Sequence, residues 1–468
     1  MKMTSSNDRK PNLLFVMTDH QRADSIGASR AGVEVCPHVN RLAAEGANFT
    51  RAYNTCPLCV PTRTALATGR YPTTTGIITN DWRGVTARDC KPIHQCLAEA
   101  GYDVAHVGID HIKVKPPIRE RVPFVKWIDN ADFARHLEAH GLAEAHERCM
   151  GALKKEIVMT RDGAKSRESY SGPGTDVWPG PLEAFKDNFF ADEAIAFLRE
   201  PRERPFALFV YLWAPHPPLA VPEPYASMFD PAKIDLPANV GVPADGEPAN
   251  RRDNMAELLA EGVTTDGWRK VWAAHLGLTR LADDASGRIL DTLARSGHDE
   301  NTVIVFTADH GDHLGQHDMY QKMEMYEQAI HIPLVVRTPG GKPGTFDAPV
   351  SHLDVMPTLL EILDIDAPVG LDGVSLVPSL HAGTPPVERS VFGMYAGNRA
   401  PGHHRRALIS RKWKYVYDPE DVAELYDLEN DPLETRNLAG ETTYAETLRA
   451  LHAECRAWHE SHDDVIPF

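Results

Sequence analysis

Four apolar runs recur along the chain, and each ends in polar residues able to do chemistry. Residues 12–17 lead into Thr18-Asp19-His20, and residues 102–108 into Ile109-Asp110-His111. Residues 205–213 lead into Ala214-Pro215-His216, and residues 302–308 into Asp309-His310-Gly311-Asp312-His313. Runs of this length without alternation read as buried parallel strands. Between and around them, residues 37–45, 93–100, 191–199 and 266–295 show helical spacing, with Gly46, Gly101 and Gly297 as stops. Residues 47–53 read as one more strand. Strands alternating with helices predict an α/β fold with a large mixed, mostly parallel sheet flanked by helices. Open sheets of this kind bind ligands beyond the carboxyl ends of their strands. Asp19, His111, His216, Asp309 and His310 are therefore expected along one edge.

A fifth stretch breaks the pattern. Cys56-Pro57-Leu58-Cys59-Val60-Pro61-Thr62-Arg63 reads as a loop turning into a helix that runs on to Thr68 and stops at Gly69. Pro61 suits a first helical turn, where its missing N–H has no partner to lose. Cys59 then sits just ahead of free backbone N–H groups and the positive end of a helix dipole, a good seat for an oxyanion. Arg63 can fold back to the same point, and its planar fork suits a tetrahedral anion or a carboxylate.

Composition narrows the function classes. A chain of 468 residues implies one large domain plus a smaller one. A shift in composition near Pro385 divides it into residues 1–385 and 386–468. In the second part, residues 391–394, 406–410 and 412–417 read as short antiparallel strands, and 443–459 as a last helix. Residues 113–181 look like a charged, loop-rich insertion with a helical stretch near 132–153; such segments shape substrate entrances. A hydrophobic content of 42% with 25% charged residues argues against disorder. A net charge of −17 argues against nucleic acid and anionic membranes as partners. Seven cysteines imply no disulfide framework. The polar start and the short apolar run at 13–17 fit no signal peptide or membrane span, so a cytoplasmic location is expected.

Cys59-Val60-Pro61-Thr62-Arg63 resembles the Cys-x-Pro-x-Arg signature of type I sulfatases, and Ala67-Thr68-Gly69-Arg70 and Glu424-Leu425-Tyr426-Asp427-Leu428 extend the likeness. The resemblance implies an alkaline phosphatase-like fold with a small C-terminal α+β domain. It implies that Cys59 is converted to formylglycine by a formylglycine-generating enzyme or an equivalent. It implies one divalent cation held by Asp19, position 59, Asp309 and His310. Oxygen-rich ligation suits Ca²⁺, Mg²⁺ or Mn²⁺, and the imidazole tilts the choice toward Mn²⁺ over Ca²⁺. His20 stands where the family carries a second acidic ligand, so it is expected to be a ligand, a neighbour of the ligands or a substrate group. Asn80 corresponds to a substrate-contacting asparagine. Gly108 and His111 match the family, but Ile109 replaces its lysine. His216 sits in the family's Pro-His-x-Pro setting, and Lys322 precedes a slightly stretched Met-Tyr-Glu segment. Asp312 and His313 are expected to support the ligands or the scaffold.

The mechanism so implied is attack on a small anionic sulfate ester by the hydrated aldehyde at position 59, held by Arg63 and the cation. His216 with Lys322 protonates the leaving oxygen, and His111 accepts the proton of the second hydroxyl. A phosphonate monoester or phosphodiester hydrolase on the same site is the nearest alternative, because Ile109, His20 and His310 depart from the commonest arylsulfatase pattern. A Cys-x-x-Cys redox or metal motif at Cys56 and Cys59 ignores Pro61 and Arg63. The state of association, including a homo-oligomer, is left open.

Overall fold

The computed structural model describes residues 10–80, 87–161, 164–462, 464, 466 and 468. Its centre is an eight-stranded sheet. In chain order the strands are β1 (Asn12–Asp19), β2 (Ala47–Phe49), β3 (Asp103–Gly108), β4 (Lys126–Ile128), β5 (Phe206–Pro215), β6 (Thr302–Ala308), β7 (Leu334–Arg337) and β8 (Gly344–Phe346). They lie in the order β8-β2-β7-β6-β1-β5-β3-β4. β6, β1, β5, β3 and β4 run parallel, while β7 is antiparallel to both β6 and β2. The sheet is thus mixed and mostly parallel, and the four long apolar runs supply four adjacent parallel strands at its middle.

Both faces of these strands are covered, which explains their nearly continuous hydrophobicity. In β1, Leu14 and Val16 join one core, while Leu13, Phe15 and Met17 join the other. Truncating such a residue to alanine costs about 2–5 kcal/mol. On the first face pack α3 (Lys186–Arg199) and the long α4 (Thr265–Arg295), which touch each other and β5. On the second lie α2 (Cys59–Thr68) and α5 (Val355–Ile362). The short α1 (Pro37–Glu45) lies against α4.

Four antiparallel strands follow in chain order, β9 (Val391–Tyr395), β10 (Arg405–Ile409), β11 (Trp413–Tyr417) and β12 (Glu424–Asp427). α6 (Ala445–Ser461) covers them through Leu451 and Cys455. Trp458 of α6 then stacks on Phe392 and meets Tyr71 just past α2. Buried ion pairs link this sheet to the segment after Lys322. Arg251 bridges Glu324 and Glu424, and Lys414 lies 2.7 Å from both Glu327 and Glu434.

Two expectations need correction. The strand read at 47–53 is two short strands, because Thr50 and Arg51 turn the chain between Phe49 and Ala52. The single helical stretch near 132–153 is two helices, Asn130–Ala139 and Ala143–Ala152, broken at Gly141 with φ 68°. A hairpin, Lys154–Arg161 paired with Ala164–Ser171, follows them unforeseen. Among the residues whose side chains are described it buries little beyond Ile157 and Met159, so its sequence carries almost no hydrophobic period. Among the described residues no helix is long and apolar enough to cross a membrane.

Candidate active site

β1 carries Asp19 to the carboxyl edge of the sheet, and its neighbour β6 leads directly into Asp309 and His310. Thr18 pairs with Ala308, so the two carboxylates arrive side by side. His20 then leaves the strand with φ 66°, a left-handed backbone that costs a non-glycine residue about 1–3 kcal/mol. Its N–H donates to Oδ1 of Asp309 at 3.3 Å. Gly311 is required by close approach, since a Cβ there would lie 2.0 Å from the Gln328 carbonyl oxygen.

Cys59 is itself the first residue of α2, one position earlier than the sequence suggests. The helix ends at Gly69, whose φ of 66° needs no Cβ and whose N–H reaches the Ala65 carbonyl. At the other end, the Val60 N–H donates to Oδ1 of Asn80 at 3.1 Å. Asn80 is therefore also a cap for the helix that presents Cys59. Its amide nitrogen donates to Oδ1 of Asn398 at 2.8 Å, which ties this corner to the loop after β9.

Arg63 lies one turn into α2 and is fully buried. Its Nε donates to Oδ2 of Asp309 at 2.9 Å and its Nη2 to Oδ2 of Asp19 at 3.0 Å. The fork spans both carboxylates. Oδ1 of Asp19 is left 3.7 Å from the Cys59 Sγ and 3.7 Å from Nε2 of His310. Nδ1 of His310 is engaged by the Gly311 carbonyl at 3.0 Å, so its Nε2 keeps a lone pair, aimed at Sγ 3.1 Å away. Ligand atoms of Asp19, His20, Cys59 and His310 all lie within 4.8 Å of one another. Oxygen and imidazole donors at this spacing fit one divalent cation.

Charge in the cluster points the same way. Burial, with Asp309 beside it, pushes Asp19 up to about 7. Burial also acts on Asp309, but His310, Arg63 and Lys322 outweigh it and hold that carboxyl below the usual range. Burial pushes His310 down to about 3, so it is a neutral ligand at neutral pH. A carboxylate this reluctant to ionise is a place short of positive charge.

Lys322 reaches the cluster from the opposite side. Its Nζ lies 3.0 Å from the Cys59 Sγ and 2.7 Å from Nε2 of His20. Burial pulls its pKa down, but Cys59 and Asp19 more than compensate and keep it a cation. The residues flanking it, Gln321 and Met323, have φ of 70° and 84°. That strained loop is pinned by the Gln321 N–H on Oδ1 of Asp312 at 2.9 Å and by the Gln321 side chain on the Ser171 carbonyl at 2.7 Å.

A cleft of about 540 Å³ opens over Cys59, with Asn80, His111, His216 and Lys322 in its wall. The structure thus brings Asp19, His20, Cys59, Arg63, Asn80, His111, His216, Asp309, His310 and Lys322 to one edge of the sheet. His216 lies with its ring 4.4 Å from that of His20, and its Nδ1 meets the Pro217 carbonyl. Ile109 does not replace the family's lysine as a cleft residue: it is buried in the apolar core. Asp312 accepts from Nδ1 of His20 at 2.7 Å, whereas His313 packs edge-on against Tyr326, outside the cluster. Sequence reasoning missed Tyr170, Ser171, Gln321, Asn398 and Arg399, which also line the cleft. They sit on a polar hairpin and two irregular loops, where no motif or period marks them.

Known proteins with this architecture agree. The sulfatase family model matches residues 11–365, and a model of the N-sulphoglucosamine sulphohydrolase C-terminal region matches residues 315–461. The chain is 28% identical to a choline-sulfatase of Rhizobium meliloti, over 92% of this chain and 82% of that one. It is 26% identical to an arylsulfatase of Clostridium perfringens, over 94% and 93%. Among solved structures, the phosphonate monoester hydrolase of Agrobacterium radiobacter superposes with a TM-score of 0.79 at 25% identity, covering 97% of this chain and 96% of that one. With its alkaline phosphatase-like sheet and the cysteine-headed helix at the sheet's carboxyl edge, this chain belongs to the type I sulfatase family of the alkaline phosphatase superfamily.

Proposed function

We propose that this protein hydrolyses a sulfate ester to an alcohol or phenol and sulfate, with Cys59 oxidised to formylglycine and one divalent cation bound beside it. One observation carries the reading. The Cys59 Sγ sits at a helix head, 3.0 Å from an ammonium, 3.1 Å from a neutral imidazole and 3.7 Å from a carboxylate. As a thiol this group is a poor nucleophile, since burial and Asp19 push its pKa well above the ordinary value. A hydrated aldehyde at the same position needs no thiolate and gains from every one of these neighbours.

Asp19, Asp309, His310 and the oxidised side chain would hold the cation, which when bound neutralises charge on the ester as a Lewis acid. Arg63 keeps the two carboxylates apart and aligned. Lys322 balances the growing negative charge at the reacting centre. His216 faces the leaving oxygen. An anionic ester in the cleft opposes the burial that depresses His216, which favours the protonated form needed to donate. His111, neutral because burial pushes it down to about 3, accepts the proton that restores the aldehyde.

Mass spectrometry of a peptide spanning residues 52–63, together with assay of sulfate release, tests the proposal. Aldehyde at position 59 and turnover of an aryl sulfate are expected. An intact thiol in protein purified from its native host would remove the basis of the reading. The second reading, a phosphonate monoester or phosphodiester hydrolase, draws support from buried Ile109, which withholds one cation from the cleft, and from the structural likeness reported above. Rates on matched aryl sulfate and aryl phosphonate esters separate the two.

A further inference from the structure

Behind His216 lies a second cavity, of about 120 Å³, walled by Phe133, Trp178, Phe185 and Trp213. His216 lines both this cavity and the cleft over Cys59, so the two spaces share one imidazole. Lys186 projects into the aromatic chamber. Its Nζ stands 4.3 Å from the centre of the Trp213 ring and 5.1 Å from that of Phe133.

The placement of this lysine is costly in three ways. It is the first residue of α3, where the helix dipole disfavours a cation. It stands mostly among apolar side chains, with His146 and His216 the polar members of the lining, and part of it stays exposed. Among the described residues no carboxylate, carbonyl or hydroxyl is hydrogen-bonded or ion-paired with its ammonium; two ring faces are its close cation-stabilising contacts, and the charges of Asp187 and Asp19 act on it from farther off. Burial accordingly pulls it down to about 8. The neighbouring Asp187 acts on it only through space: its Oδ1 accepts the backbone N–H groups of Trp213 and Ala214, and it forms no ion pair with Lys186. A cation with no direct anionic partner in a largely aromatic and apolar chamber suits a ligand of opposite charge and aromatic body.

The geometry points to a leaving-group subsite in which Lys186 pairs with an acidic substituent on an aromatic ring held by Phe133, Trp178 and Trp213. The volume, about 120 Å³, is close to the roughly 150 Å³ of an apolar cavity that holds benzene. His216, proposed above as the donor to the leaving oxygen, lines both the subsite and the cleft over Cys59. Two of the four walls, Phe133 and Trp178, come from the 113–181 insertion. This assignment rests on the hydrolase reading and narrows its substrate to aryl esters whose leaving phenol carries a carboxylate or a similar anion.

Two measurements test it on the full-length protein. The first needs no turnover: calorimetric titration with benzoate and with benzamide. Benzoate should bind at least tenfold more tightly, and Lys186→Met should abolish that preference while leaving benzamide unchanged. Equal binding of the two probes, binding of neither, or an unchanged preference in Lys186→Met would overturn the subsite. The comparison within the wild type stands even if the variant fails to fold. The second compares kcat/KM on carboxyphenyl sulfate and phenyl sulfate. A preference for the carboxylated ester that disappears in Lys186→Met places the aryl anion in the substrate. Turnover without that preference overturns the leaving-group assignment. Selective benzoate binding without turnover of either ester would count against the sulfatase reading and the leaving-group role, leaving an anionic-arene site unconnected to sulfate hydrolysis.

Discussion

Nε2 of His20 lies 2.7 Å from Nζ of Lys322, and Nδ1 of the same ring lies 2.7 Å from Oδ2 of Asp312. A carboxylate on one nitrogen fixes the tautomer, so the other nitrogen offers a lone pair to the ammonium. Lys322 is thereby aimed at position 59, 3.0 Å away. We propose that His20, although its ligand atom also lies within the cation-sized cluster, acts by positioning Lys322. Replacing it by alanine is expected to lower kcat by about 10- to 100-fold with little change in KM, because a mobile ammonium stabilises the transition state poorly. Bound metal measured by elemental analysis should stay near the wild-type ratio. Loss of the metal instead would show His20 to be a ligand.

Arg63 touches both Asp19 and Asp309 but is no ligand. Lysine at this position keeps the charge and loses the two-pronged geometry. The expected outcome for Arg63→Lys is metal affinity weakened by about 10- to 100-fold, the usual cost of removing a group that orients ligands. Competition with a chelator of known affinity measures it.

Arg251 is buried between Glu324 and Glu424 and joins the C-terminal sheet to the loop that carries Lys322. Arg251→Met leaves two buried carboxylates short of a partner. A loss of about 3–5 kcal/mol is expected, read as a lower midpoint in urea. A loss below 1 kcal/mol would show that Arg405, also close to Glu324, supplies enough charge alone.

His106 in β3 is buried, with its ring stacked 4.0 Å from that of Trp127. Burial pushes its pKa down to about 3 from an ordinary 6.5. Between those values the unfolded chain binds a proton that the folded one refuses, so stability falls as pH drops below 6.5. From pH 7 to pH 5 this one group accounts for about 2 kcal/mol. His106→Phe keeps the stack and removes the titration. Its stability, measured by denaturant at both pH values, should fall less on acidification than that of the wild type, by about that amount.

Much of the fold is legible in the chain because its central strands are buried on both faces. Solvent exclusion leaves them few polar positions, so the four apolar runs before Asp19, His111, His216 and Asp309 stand out unaided. The Cys59 helix is legible for a similar local reason: Pro61, Arg63 and Gly69 each answer a backbone or charge requirement within a few residues. The hairpin at 154–171 is different. It is stabilised by pairing between its own exposed strands, and such pairing leaves no period to read.

The sequence by itself determined which side chains stand at the strand ends and at the helix head, since local propensity and hydrophobic periodicity act over short distances. Only the tertiary structure decided that His20 holds Lys322, that Asn80 caps α2, and that Lys186 faces an aromatic chamber behind His216. Each of these joins residues far apart in the chain, and a contact of that kind depends on how whole layers pack, which no single stretch encodes.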